Sequence, residues 1–161
     1  MTEIYLDHFI EAHRAQFDSA LGELLAGRKK SHWIWFIFPV AVGFGKSEIA
    51  QYYGIASMEE ARAFIKDPYL GRNYITCIEA VMQHRTDDIE IILGSRIDKW
   101  KFRASLTLFE KATFSDADRE SIQQCLECFY DGKRCGKTLR FIVAFKNPVA
   151  DFKRLAYRRT Y

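Results

Sequence analysis

Three cations, Arg28, Lys29 and Lys30, stand directly before Ser31, a residue type that often caps the start of a helix. The first N–H groups of a helix have no partner within it and carry the positive end of its dipole. Cationic side chains beside such groups suit a phosphate or a carboxylate. The same cations could instead stabilise the C-terminus of a preceding helix. We therefore consider an anion site here as one of two interpretations.

Lys101 and Arg103 would add two more cations to this site if the fold brings their segment near Ser31. Trp33 and Trp35 follow Ser31 closely, and one indole could line a pocket and stack on a ring. A short helix with aromatic residues on all sides is, however, more often buried core. The predicted partner is an anionic, phosphate-bearing small molecule or an acidic partner.

His32 offers an alternative, an enzyme acting on a phosphorylated or nucleotide-like substrate. Its imidazole titrates near neutrality, so it could act as a general acid or base. The sequence assigns it no acidic or nucleophilic partner, and a single histidine beside aromatic residues is more often structural. Whether the protein is an enzyme stays open at this stage.

A glycine-rich segment, Gly-Phe-Gly-Lys-Ser at residues 43–47, ends like a phosphate-binding P-loop. That motif needs a further glycine at the position of Val40, and an apolar run ending in aspartate to hold magnesium. Both are missing from the sequence. We interpret the segment as a turn that precedes a helix capped by Ser47.

Cys125, Cys128 and Cys135 raise the question of a zinc site. Zinc needs four ligands, usually in paired units, and neither Cys77 nor any histidine has a companion at such spacing. Cys125 falls on the apolar face of its helix, as a small hydrophobic residue would. We assign no metal and no cofactor, and expect Cys128 and Cys135 to be the more exposed thiols.

The remaining pattern predicts an all-α protein. Apolar residues recur at spacings of three and four, which is typical of amphipathic helices. Residues 32–38 could also be a buried strand, but no partner strand is evident, so we predict a short buried helix. Helices with both a predicted start and a predicted stop are Leu6 to Gly27, Ser31 to Pro39, Ser47 to Gly54, Ile89 to Gly94, Ser115 (with Asp118) to Gly132, and Thr138 to Pro148. Three further helices have only a predicted start: at the capping box of Ser57 and Glu60, at Asp67 with Pro68, and at Asp98.

Charge is distributed unevenly along the 161 residues. Up to Gly132 there are 15 basic and 20 acidic residues, a net charge of −5. From Lys133 there are nine basic residues and the single acid Asp151, a net of +8, which gives +3 for the whole chain. We predict one compact helical domain, residues 1–147, and a basic tail, residues 148–161. The tail either packs on the acidic body or makes weak, non-specific contacts with nucleic acid.

The composition is that of a globular protein, with 48% hydrophobic and 28% charged residues. No apolar stretch is long enough for a transmembrane helix, and the charged N-terminus is unlike a signal peptide. We expect a cytoplasmic protein with reduced thiols.

A third hypothesis on function is an interaction protein that acts through its basic tail. The sequence does not determine the oligomeric state.

The segment Gly-Arg-Lys-Lys-Ser-His-Trp-Ile-Trp-Phe-Ile-Phe-Pro at residues 27–39 resembles the bacterial family named domain of unknown function 1810, some of whose members are labelled "calpastatin". The resemblance spans roughly residues 6–142. It implies a compact all-α fold and no established activity. The chain departs from the family pattern at Val40, where glutamine is usual, in an extra residue before Lys101, and in the tail after Pro148. Further matching blocks are residues 43–47, 53–57, 60–64, 68–71, 101–109 and 129–132.

Overall fold

The computed structural model describes residues 3–145, and within this range the chain forms nine α-helices and no β-strand. The prediction of an all-α single domain with an aromatic-rich core is confirmed. The tail from residue 148 onward lies outside the described residues. The helices are α1 (Asp7–Leu25), α2 (Ile34–Ile37), α3 (Glu48–Tyr53), α4 (Met58–Lys66), α5 (Pro68–Met82), α6 (Ile89–Leu93), α7 (Arg96–Ala112), α8 (Asp116–Tyr130) and α9 (Gly136–Ala144).

Side-chain caps fix most of the helix starts. Ser47, Ser57, Asp67 and Ser115 each accept a hydrogen bond from a backbone N–H in the first turn, as predicted. The predicted starts of α7 and α9 lie three residues after the N-caps that the structure shows. Ser95, rather than Asp98, caps α7, and α9 starts at Gly136, so its predicted cap Thr138 lies inside the first turn.

The core is built from aromatic rings that the helices bring together from distant parts of the chain. Phe38 contacts Phe102 and Tyr74, with ring centres 4.6 and 5.7 Å apart. Tyr74 in turn contacts Phe109, and its hydroxyl is 3.0 Å from the Ser105 hydroxyl inside the core. Helix α5 therefore links the segment after α2 to α7.

The segment predicted as a helix over residues 32–38 is helical only from Ile34 to Ile37. Pro39 ends it, and the chain then runs extended beside Ile55. The Ile55 N–H donates to the Val40 carbonyl at 2.9 Å, and the Val42 N–H donates to the Ile55 carbonyl at 2.8 Å. This contact orients the glycine-rich loop that follows.

His13 joins α1 to the same core and is buried at 1% exposure. Its Nε2–H donates to the Phe36 carbonyl at 2.7 Å, and Nδ1 accepts from the Asn73 amide at 3.0 Å. Burial lowers the pKa of His13, although the bond to Phe36 acts in the opposite direction. With both nitrogens engaged, the neutral ring has a structural role.

Within residues 3–145, none of the helices combines the length and the apolar character needed to cross a bilayer.

Candidate functional site: a cationic cluster beside two indoles

Lys29, Asp98 and Lys101 form a charged cluster that we call the lysine–aspartate cluster. Lys29 Nζ lies 2.9 Å from one Asp98 carboxylate oxygen, and Lys101 Nζ lies 3.5 Å from the other. The side chains are only 8%, 12% and 14% exposed. Two ammonium groups thus share one carboxylate, which leaves an excess positive charge in a largely buried position.

Local structure holds each member of the cluster in place. The Lys29 backbone N–H donates to the Ile92 carbonyl at 2.7 Å, so the loop after α1 is tied to α6. Asp98 stands in the first turn of α7, where a carboxylate is favoured by the helix dipole, and its own N–H donates to the Ser95 hydroxyl. Lys101 follows three residues later, on the same face of the helix.

Both predicted indoles lie against this cluster. Lys29 Nζ is 5.2 Å from a Trp33 ring centre, and Lys101 Nζ is 3.8 Å from a Trp35 ring centre. Trp33 is fully buried, whereas Trp35 is partly exposed. The electron-rich ring faces attract the ammonium groups. Burial lowers the pKa of Lys101, a change that Asp98 opposes and Lys29 reinforces.

The N–H groups at Ser31, where we expected an external anion, are occupied by the Glu23 carboxylate of α1. Glu23 accepts hydrogen bonds from the N–H groups of Lys30 and Ser31, from the Ser31 hydroxyl at 2.8 Å and from the Trp33 indole at 3.2 Å. Burial alone would raise the pKa of Glu23, but these donors lower it. The prediction that Ser31 caps the next helix was wrong, because the N-cap of α2 is Trp33.

Removing this internal carboxylate should uncover an anion site. We expect Glu23→Ala to lower the free energy of unfolding by about 2 kcal/mol, because it leaves several donors, including the buried indole N–H, without an acceptor. Inorganic phosphate should restore part of the loss by binding the same donors. Urea unfolding with and without phosphate measures both effects. Asp18→Ala, an exposed carboxylate of the same helix, is the matched control, and equal behaviour of the two variants would contradict the expectation.

The other predicted site residues lie apart from the cluster. Arg28, Lys30 and His32 are exposed. His32 has no hydrogen bond or ion pair within residues 3–145, so the structure offers it no proton relay. Arg103 lies on a different face of α7, its guanidinium 5.9 Å from the Tyr130 ring centre, with its buried Nε unpaired in the described part of the chain.

A second, smaller apolar cluster adjoins Trp35, and we call it the Val40 cluster. Val40, Ala104 and Cys135 are its buried members, and Trp35 and Phe44 pack against them. The glycine-rich loop supplies Phe44, and its Gly45 fits closely under Trp35: a side chain there would begin 3.1 Å from the indole and 2.9 Å from the Ala50 Cβ. The P-loop-like sequence therefore packs against an aromatic ring.

The cysteines are distributed over different parts of the fold. Cys77 and Cys125 are buried in the main core, and Cys135 belongs to the Val40 cluster. Cys128 is exposed as expected, but Cys135 is buried at 7% exposure, contrary to expectation, because its side chain packs on Val40 and Ala104. Burial raises the pKa of Cys77 to about 12. Among residues 3–145, no three histidine, cysteine or acidic residues lie close enough to hold a metal ion.

Two members of the site were missed from the sequence. The sequence predicts Asp98 only as a helix start, although its spacing of three residues from Lys101 is that of a helical ion pair. Glu23 reaches Ser31 across the turn that ends α1, and no local pattern marks such a contact.

The geometry defines a small all-α protein with a buried, positively charged site, and the comparisons with known proteins place it in a family. The chain belongs to the family described as "Protein of unknown function (DUF1810)", whose model matches residues 3–142. It is similar to the conserved hypothetical protein Rv1873 from Mycobacterium tuberculosis, whose crystal structure was solved at 1.38 Å. The two share 37% identity with a TM-score of 0.80, over 86% of this chain and 96% of the other. No match was found among curated proteins.

Proposed function

We propose that this protein is a binding module for an anionic, phosphate-bearing small molecule or an acidic partner, and that the anion binds at the lysine–aspartate cluster. The observation that carries this proposal is the charge imbalance of the cluster: within residues 3–145, its two ammonium groups form ion pairs with a single carboxylate, and all three groups are largely buried. An isolated buried charge is unfavourable unless it is paired. A bound oxyanion would supply the missing negative charge.

Lys101 is the residue best placed to contact the ligand. An ammonium group has three N–H donors, and Asp98, at 3.5 Å, engages at most one of them. The partly exposed Trp35 ring beside it would offer an apolar surface to the organic part of the ligand. A bound anion would also reverse the effect of burial and raise the pKa of Lys101.

The finer details of the proposal come from the sequence. The protein is taken to be cytoplasmic. The basic tail, residues 148–161, would contribute only weak and salt-dependent contacts to nucleic acid. Catalysis through His32 has no geometric support within residues 3–145, where this side chain is exposed and unpaired.

Two substitutions in the cluster should change anion affinity in opposite directions. Lys101→Met removes a donor and a charge, so we expect the affinity for inorganic phosphate to fall about tenfold or more. Asp98→Asn removes the competing carboxylate, so we expect tighter binding. Isothermal titration calorimetry at constant ionic strength measures both.

Controls separate this site from general charge effects. Lys66→Met removes the same charge from an exposed position on α4 and should leave affinity unchanged. Lys30→Met tests the exposed cations before Ser31. Unchanged affinity in Lys101→Met, or an equal loss in Lys66→Met, would refute the proposed site.

A further inference from the structure

Helix α9 begins beside the Val40 cluster, and no side chain within residues 3–145 caps its first N–H groups. Its N-cap residue, Cys135, provides no side-chain acceptor, and the first turn contains no acidic residue. The Cys135 N–H is itself engaged, since it donates to the Thr107 hydroxyl at 3.0 Å and so fixes the start of the helix on α7. The N–H groups that follow have no acceptor within the helix.

A buried hydroxyl in the same turn also lacks a partner. Thr138 is 0% exposed, and its Oγ1 forms no hydrogen bond to any group within residues 3–145. The Cα–Cβ bond of a helical residue tilts toward the helix N-terminus, so the Thr138 side chain leaves the backbone on the side of the first-turn N–H groups. A buried hydroxyl without a partner is unfavourable, and an oxyanion at the start of α9 would accept its hydrogen bond.

Two cations flank this turn. Lys137 Nζ lies 4.8 Å from the Phe44 ring centre and donates to the Gly43 carbonyl at 2.6 Å, which leaves two N–H donors. Arg140 reaches back along the helix, with Nη1 3.5 Å from the point where a side chain at Gly136 would begin. Glycine therefore leaves space between the guanidinium and the first turn.

Arg134, directly before the N-cap of α9, interacts with two acidic residues. Glu110 pairs with Arg134 at 2.5 Å, and the charge of Glu127 also acts on Arg134. Neither caps α9. The start of the helix thus keeps its positive potential.

We propose that the start of α9 is a second oxyanion site, formed by the first-turn N–H groups, the Thr138 hydroxyl and Lys137. Lys101 lies over Trp35 and Lys137 lies over Phe44, and both rings pack on the Val40 cluster, so the two sites adjoin the same apolar cluster. The inference rests on the proposed function in one respect, that a first anionic group of the ligand binds at the lysine–aspartate cluster. It extends that function to a ligand class, compounds with two anionic groups joined by an apolar or planar portion.

Nuclear magnetic resonance of the full chain titrated with inorganic phosphate observes both sites separately. We expect saturable shifts of the amide resonances of Gly136, Lys137 and Thr138. Lys137→Met should weaken this response about tenfold. Thr138→Val should weaken it too, while leaving the phosphate-free protein as stable as the wild type or more so, because the hydroxyl that it removes has no partner. The indole resonance of Trp35 reports on the lysine–aspartate cluster.

The controls distinguish failure of this inference from failure of the proposed function. Lys66→Met should leave both responses intact, and Lys101→Met should weaken only that of Trp35, by about tenfold or more. If the α9 amides do not shift saturably, or shift as much in Lys137→Met and Thr138→Val as in the wild type, the second site is refuted even when Trp35 responds. If the α9 amides respond and Trp35 does not, the second site stands as a single-phosphate site and the proposed function fails.

Discussion

Replacing Arg134 by methionine should lower the free energy of unfolding by about 3 kcal/mol at neutral pH. Glu110 is only 4% exposed, and its two carboxylate oxygens accept hydrogen bonds from Arg134 at 3.2 and 2.5 Å. Without the guanidinium, a buried carboxylate loses its counter-charge. Such a loss is among the most destabilising kinds of single substitution.

The pH dependence identifies the cause. Burial alone would raise the pKa of Glu110, but the hydrogen bonds and charge of Arg134, with smaller contributions from the charge of Lys111 and a hydrogen bond to Gln123, hold the pKa below its ordinary value. In the wild type this stabilisation is complete above the unfolded-state pKa and is lost as the pH falls through the folded-state value. In Arg134→Met, burial should instead raise the pKa of Glu110. Protonation of Glu110 then removes the unfavourable buried charge and restores part of the stability of the variant. The difference between the two proteins should therefore shrink on acidification.

Urea unfolding at neutral pH and in mild acid tests this expectation. Arg119→Met is a suitable control, because Arg119 pairs at 2.7 Å with Asp116, whose side chain is 99% exposed. Exposed ion pairs contribute little, so this variant should lose far less stability. A loss in Arg134→Met that is small, or that does not change with pH, would show that Glu110 does not depend on its partner.

Arg134 also precedes the N-cap of α9, so its loss should weaken phosphate binding at that helix more than at Lys101.

Local signals made most of the fold predictable. Ser47, Ser57, Asp67 and Ser115 act as caps through contacts with residues two or three positions away, and such short-range chemistry is visible in a sequence. The boundaries of α2 were not predictable in the same way. Its apolar run fits both helix and strand, and the pairing of Val40 and Val42 with Ile55 decides where helix gives way to extended chain.

The candidate site depends on contacts that the sequence pattern does not contain. Lys29 and Lys101 meet because both approach Asp98, and this requires the packing of the loop after α1 against α6 and α7. Arg103 is two positions from Lys101, which places the two cations on different faces of one helix. Glu23 occupies the N–H groups at Ser31 for an equally non-local reason. Residue types were informative here, but only the tertiary fold determines which charges are paired.

Gly71→Ala should be strongly destabilising, although helix propensity alone predicts the opposite. Alanine in a helix interior is favoured over glycine by about 1 kcal/mol. Gly71 lies in α5, close to the end of α4, and a Cβ there would stand 2.2 Å from the Ile65 carbonyl oxygen. That atom is backbone and cannot move without shifting the junction of the two helices, where the Gly71 N–H donates to the Asp67 carbonyl at 2.8 Å.

We expect a net loss of about 3 kcal/mol for Gly71→Ala, at the upper end for overpacked sites, because the steric term exceeds the propensity gain. Gly22→Ala is the matched control: Gly22 also lies in a helix, and a Cβ there would meet nothing within 4 Å. With propensity acting alone, that variant should gain up to about 1 kcal/mol. Urea unfolding of the two variants should therefore give shifts of opposite sign. A stabilised Gly71→Ala would mean that α4 and α5 can separate at Ile65 without loss, and that the core contacts of the neighbouring Leu70 and Tyr74 do not depend on this close approach.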